Sequence, residues 1–287
     1  MRLVIRTNVV PVTTALSLIS FWTIHLTPVL ILLPLSVIPI CFLPVLFFYA
    51  CESRRFADPR EKGSYLVSMM MGNIGTMAGL CAYILFGETG FAYVQLIGMP
   101  QVLIFVLFCF PMAQYYYALW KNQGKAERPK LKAAELLLTW NQLPAVGVLV
   151  GMGLGYFDVT RPAFVGYVFT ALIHISAWMG MISVGYGTDM KRARSYVRRL
   201  WMLVPVKFLA LPLIMYNLLK CVTDDQTVIA CILLASAAPT AIFSVMTAQL
   251  YDLNVDLAES SFLSTTILFL LTIYPLAYWF ITSGGTF

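Results

Sequence analysis

Two places deep in apolar sequence carry residues of the kind that do chemistry. Asn73 stands in the run from 64 to 86 with Gly72 and Gly75 beside it, and Pro239 stands in the run from 226 to 249 with Ser236 and Thr240 close by. A proline withholds a backbone donor and crowds the preceding turn, glycines loosen a helix, and an asparagine carries an amide into hydrocarbon. Lipid tolerates such breaks only where protein or a cavity covers them. Paired breaks at corresponding positions of two halves point to a transporter's binding site near the bilayer midplane. The chemistry implied is reversible binding: freed carbonyls hold a cation or polar groups, and half-helix N-termini attract a carboxylate.

Lys207 is a third candidate, eight residues beyond Arg199 and hence about 12 Å deeper along a helix. An ionisable group at such depth is a functional candidate by default. Beside the two breaks it would favour an organic anion; the alternative is a lysine answering a wet crevice or a structural carboxylate. Asn141 and Gln142, followed by Pro144, form a polar notch in another apolar run and are candidates to face a substrate from the opposite side. His174, near Thr170 and Ser176, has the ordinary titration range of a proton relay, against a plain packing role. Asp252, Asp256 and Glu259 fit a hydrated helix entrance.

Catalysis finds little support. Asp224-Asp225 is one short acidic pair, His25 and His174 are far apart, and there is no HExxH, so neither magnesium-dependent phosphate chemistry nor zinc hydrolysis is indicated. The six cysteines (Cys41, Cys51, Cys81, Cys109, Cys221, Cys231) show no CxxC and no ligand-like spacing, and read as packing residues. No metal site and no bound cofactor is expected, and the sequence does not say whether H+ or Na+ is coupled.

The elements that must position these residues are membrane spans. The 287-residue chain is 60% hydrophobic with mean hydropathy +0.82, and only 11% of it is charged, against roughly 25% in soluble domains. An all-α integral membrane protein in contact with lipid follows, as one transmembrane domain over residues 1–287. Nine runs are long enough to cross: 8–27, 28–50, 64–86, 92–120, 134–156, 162–187, 197–218, 226–249 and 258–282. The basic start followed by apolar sequence lacks a small-x-small cleavage site and reads as a retained span.

Sixteen of the 19 Lys and Arg residues fall in alternate loops, before the first span and after the second, fourth and sixth. The positive-inside rule then sets the N-terminus in the cytoplasm and the C-terminus outside. The same clustering explains the net charge of +6 without nucleic acid. The broken runs 64–86 and 226–249 cross in opposite directions, each is followed by a turn with acid (FGETGF and LYDLNVD), and each leads into a long apolar span. That is the pattern of an inverted repeat with two broken crossover helices. Residues 134–287 supply five spans and residues 1–120 four, a five-plus-five plan lacking its first helix.

The stretch AAPTAIFSVMTAQLYDLNVDLAESSFLSTTILFLLTIYPL resembles the ninth and tenth helices of the auxin efflux carrier family, bacterial and plant carriers that include malonate transporters. GNIGTMAG with LFGETGF resembles that family's fourth helix, and VKFLALPLI its eighth. Where the fourth helix of the family commonly carries a proline, this chain has Leu80. The resemblance implies a secondary transporter of small organic anions such as dicarboxylates or auxin-like carboxylates. It further implies elevator-type alternating access, a homodimer, and a place in the bacterial inner membrane. The scaffold would comprise 8–27, 134–156 and 162–187, with the substrate held where the two breaks cross. Matching from the second family helix onward implies a truncated or late start. The alternatives are a carrier like the bile acid and sodium symporters, or a non-transporting membrane protein.

Overall fold

The computed structural model describes residues 7, 11–24, 27–122, 143–186 and 194–285, and apart from one isolated bridge its ordered elements are helical. In chain order they are α1 (Thr13–Trp22), α2 (Pro28–Arg55), α3 (Pro59–Met70) and α4 (Gly79–Gly98), the last entered through a π turn at Ile74–Ala78. There follow α5 (Phe110–Lys121), α6 (Leu143–Tyr156), α7 (Phe164–Tyr186), α8 (Leu203–Lys220), α9 (Gln226–Ser236), α10 (Ile242–Leu250) and α11 (Val255–Thr282). Among the described residues four helical runs are long and apolar enough to cross a membrane: Pro28–Arg55, Ile74–Lys121, Leu203–Lys220 and Val255–Thr282.

The run Ile74–Lys121 folds back on itself. In a straight helix Gly75 and Gly98 would stand about 35 Å apart at 1.5 Å per residue. Instead a Cβ on Gly98 would sit 3.8 Å from the Gly75 nitrogen, and one on Gly90 would strike the Ala82 carbonyl at 2.5 Å. The reversal is at Gly87, whose φ of 64° and ψ of −151° suit only a residue without Cβ. The first limb of α4 ends at residue 86 and the second leads into the run expected at 92–120, so the two expected runs adjoin at this tight turn. The first of those spans begins earlier than expected, at Pro59, because Asp58 caps α3 by accepting from the Arg60 amide and Pro59 fits the first helical position.

Side-chain capping starts two more helices at the same kind of junction. Asp225 accepts from the amides of Thr227 and Val228 to begin α9, and Asn254 accepts from Leu257 to begin α11. Prolines reshape the long helices in a regular way. Three π turns, Phe105–Cys109, Val206–Ala210 and Phe269–Ile273, each end two residues before a proline: Pro111, Pro212 and Pro275. The ring clashes with the carbonyl four residues earlier and offers no N–H, so the turn before it widens. The second of these turns carries Lys207.

Two apolar clusters fill the larger body. One joins α2, α3, α4, α8 and α9 around Leu33, Met71, Ile74, Val94 and Ile232; the other, toward the opposite ends, joins α3, α10 and α11 around Tyr65, Leu66 and Phe262. The helices α1, α6 and α7 form the second body and meet the first across α4, through Leu16, Ile19, Phe91 and Phe169 and through Phe21, Ala92 and Val148. Tyr83 and Thr170 hydroxyls lie 3.5 Å apart on this contact, and Arg161 grips Glu88 at its rim through two bonds of 2.5 and 3.0 Å.

α1 and α6 touch through backbone. Gly147, Gly151 and Gly155 lie on one face of α6, and a Cβ on each would stand 2.5, 2.4 and 2.9 Å from the carbonyl oxygens of Thr14, Leu18 and Trp22. Small residues at four-residue spacing let helices approach this closely in lipid, where dispersion and not the hydrophobic effect holds them. Gly153, off that face, has nothing within 4 Å of its Cβ position. Gly151→Leu is expected to lose at least the roughly 1–3 kcal/mol typical of overpacking, read as a lowered unfolding temperature in detergent, while Gly153→Leu leaves that temperature nearly unchanged.

Candidate functional site

The two breaks found in sequence meet. α3 stops when Met71, whose amide still reaches the Val67 carbonyl at 3.0 Å, turns to an extended conformation; Asn73 is also non-helical, at φ −80° and ψ 60°. On the other chain segment Ala238 bonds back to Ala235 at 3.2 Å, Pro239 has no donor to offer, and Ala241 is extended before α10 begins. The two short extended pieces run antiparallel, with Gly72 opposite Thr240. Asn73 donates its amide to the Pro239 carbonyl at 2.7 Å, and Ala241 donates to the Met71 carbonyl at 3.0 Å. Each break satisfies groups that the other exposes.

Side chains supply the remaining partners. The Lys207 ammonium donates to the Met71 carbonyl at 3.0 Å, and the amides of Gln101 and Gln95 donate to the carbonyls of Gly72 and Gly75, each at 2.9 Å. Thr240 donates its amide to Thr265 Oγ1 at 2.9 Å and its hydroxyl to the Ser68 carbonyl at 3.2 Å. An unsatisfied backbone group at membrane depth costs several kcal/mol, so these side chains are part of what makes the breaks stable. A Cβ at Gly72 or Gly75 would meet ordinary van der Waals neighbours, Ile74 at 3.4 Å and Ala238 at 3.5 Å for the first and the Gln95 amide at 3.7 Å for the second.

The crossing has an inner and an outer side. Gly72, Ser236, Pro239, Thr240 and Lys207 are buried, and the Ser236 hydroxyl is taken by the Leu233 carbonyl at 2.7 Å. Asn73, Gly75 and Thr76 are only half buried. Thr76 donates its hydroxyl to Asn73 Oδ1, which fixes the asparagine side chain and leaves its NH2 as a donor. The first-turn amides that follow Asn73 begin a helix and have no partner within it. Chemically this is a small face of N–H donors backed by an ammonium.

Of the residues expected at the site, seven are brought to the crossing: Gly72, Asn73, Gly75, Lys207, Ser236, Pro239 and Thr240. Asn141 and Gln142 lie outside the described residues. His174 is exposed on α7, and Asp256 sits in the first turn of α11, where an acid complements the helix end. Gln95, Gln101, Thr76 and Thr265 were not expected there. The signal for the two glutamines was present, since an amide inside an apolar run needs a partner, but the identity of that partner depends on the fold-back at Gly87.

A family profile described as membrane transport protein matches residues 10–276. No curated protein matches the chain.

Gln101→Leu replaces the amide by an apolar side chain of similar size and leaves the Gly72 carbonyl without its donor. It is expected to destabilise the protein by about 1–3 kcal/mol, measured as thermal unfolding in detergent. Asn217→Leu, which removes an exposed amide that bonds its own helix one turn back at 2.7 Å, should change stability by no more than about 0.5 kcal/mol.

Proposed function

Because the chain belongs to the membrane transport protein family, the family of the auxin efflux carriers, we propose that it is a secondary carrier of small organic anions working by elevator-type alternating access. The observation that carries this reading is the reciprocal backbone pairing of the two breaks. That pairing leaves Asn73, Gly75 and Thr76 on the open side. The N-termini of α10 and of the turn leading into α4 start at the crossing, and each is worth roughly half a positive charge. Lys207, when protonated, adds positive charge behind Met71. A carboxylate is the ligand that gains from all three.

In this reading the Asn73 NH2 and the first-turn amides of Gly75 and Thr76 receive the carboxylate. Lys207 and Gln101 hold the carbonyls of Met71 and Gly72 away from it, since a free carbonyl there would repel an anion. Met71 O already accepts two hydrogen bonds, from Ala241 and Lys207, which removes it as a cation ligand. The moving unit is the body that contains both breaks. It slides against α1, α6 and α7 along a contact made largely of aliphatic and aromatic side chains. The pair Glu88–Arg161 clamps the rim of that contact in the conformation seen here and must open as the bundle moves. A location in the cytoplasmic membrane, with the basic loops inside, accords with the charge distribution.

The test is flux into proteoliposomes with malonate as the probe. Asn73→Ala is expected to lower saturable malonate flux at least tenfold with expression and unfolding temperature retained, and Lys207→Met to raise the half-saturating malonate concentration. Wild-type flux in Asn73→Ala would remove the crossing as the site, and a wild-type preference for neutral or cationic solutes would overturn the anion reading.

A further inference from the structure

At the end of the molecule where α2 finishes and α8 begins, two short segments far apart in sequence converge on one indole. Arg55 stacks its guanidinium over the Trp201 ring, 4.9 Å from the centroid, while its Nη1 bonds Glu52 Oε1 at 3.2 Å. Glu52 is fully buried, whereas the Arg55 side chain is 49% exposed. One face and one edge of the guanidinium are thus fixed, and the other edge is left to solvent. Residues Val197–Leu200 form a 3-10 turn capped by Trp201, and side chains three apart in such a turn eclipse. Arg198, three residues before Trp201, therefore leaves this turn on the same side as the indole.

Among the described residues the like charges gathered here are only partly met by acid. Arg199 is engaged by Glu61, but Arg54 and Arg198 are exposed and have no acidic partner among the described residues. Gathering exposed guanidinium groups around one indole is unfavourable unless an anion joins them. A pre-oriented fork of N–H donors suits a phosphodiester through two parallel hydrogen bonds. The position selects which phosphodiester. Pro28–Arg55 and Leu203–Lys220 are both of membrane-crossing length and composition, so their adjoining ends lie at a membrane surface. Trp201 is 54% exposed there, as an interfacial anchor would be.

We propose that Arg54, Arg55, Arg198 and Trp201 form a binding site for the headgroup of an anionic phospholipid. The phosphate is held between the guanidinium groups, and the glycerol and upper acyl chain lie along the indole. Glu52 is a positioning residue: it orients Arg55 and does not face the lipid. Occupancy ties the end of α2 to the start of α8, two elements of the body that carries the crossing.

Thermal unfolding of the full-length, detergent-purified protein tests this with dioleoylphosphatidylglycerol, dioleoylphosphatidylcholine and inorganic phosphate as separate additions. Phosphatidylglycerol is expected to raise the wild-type unfolding temperature by roughly 5 °C, the scale produced by a ligand far above its Kd, and the other two to leave it unmoved. Arg54→Gln with Arg198→Gln should abolish most of that shift, whereas Lys220→Gln, which removes a base from the other end of α8, should retain it. Arg55 is left intact because its loss would strand the buried Glu52 carboxylate. If the double variant yields too little folded protein for a melt, native mass spectrometry of Trp201→Leu replaces it, with fewer retained phosphatidylglycerol molecules than wild type expected. An undiminished shift in the double variant, equal lipid retention in Trp201→Leu, or the same shift from phosphatidylcholine or from phosphate overturns the proposal.

Discussion

The structure depends on a pair of backbone hydrogen bonds. Asn73 donating to Pro239 and Ala241 donating to Met71 let two helices be interrupted at the same depth without leaving their peptide groups unpaired. In hydrocarbon neither interruption is tolerable alone, because each frees donors and acceptors that no water can reach. Joined, the two become a miniature antiparallel ladder. The fold of the surrounding helices can be understood as what is needed to bring residues 71–73 and 238–241 together and hold them.

Two devices do the holding. The reversal at Gly87 lays the second limb of α4 beside the first, which places Gln95 on the Gly75 carbonyl; farther along the same run, Gln101 reaches the Gly72 carbonyl. The widened turn ahead of Pro212 carries Lys207 to the remaining lone pair of Met71. With the Met71 and Gly72 carbonyls of the first break occupied, the half-buried side at Asn73, Gly75 and Thr76 presents donors. The proposed preference for an anion rests on how the break is stabilised. The contact that this body makes with the second one follows a different rule. α1 and α6 lock through a glycine stripe, while the contact across α4 is made of side chains.

Much of this was legible in the chain because lipid makes rare residues meaningful. Pro239, Asn73 and the glycines around them stand out as breaks, and the depth of Lys207 could be counted from Arg199. The resemblance to the auxin efflux carriers, carried by GNIGTMAG and AAPTAIFSVMTAQLYDLNVD, agrees with the family match over residues 10–276. What could not be read was which way each polar group points. Ser236 and Thr240 have the composition of ligand-lining hydroxyls, yet the Ser236 hydroxyl turns back to the Leu233 carbonyl of its own helix, and the partners of Thr240, the Ser68 carbonyl and the Thr265 hydroxyl, become its neighbours only after tertiary packing. The partner of Lys207 is a carbonyl that exists as a free acceptor only because the first helix breaks. The Gly147, Gly151 and Gly155 stripe was visible as a four-residue repeat, although its partner helix was not.

Hydrogen–deuterium exchange at the two breaks tests the central claim most directly, with the purified protein measured alone and with saturating malonate. The amides of Asn73 and Ala241, bonded across the crossing, should exchange slowly in both conditions, and those of Gly75 and Thr76 should be open alone and become protected with malonate. Fast exchange at Asn73 and Ala241 in the protein alone would show that the breaks do not hold each other. Slow exchange there with no protection of Gly75 and Thr76 by malonate would leave the crossing intact and contradict its role as the carboxylate site.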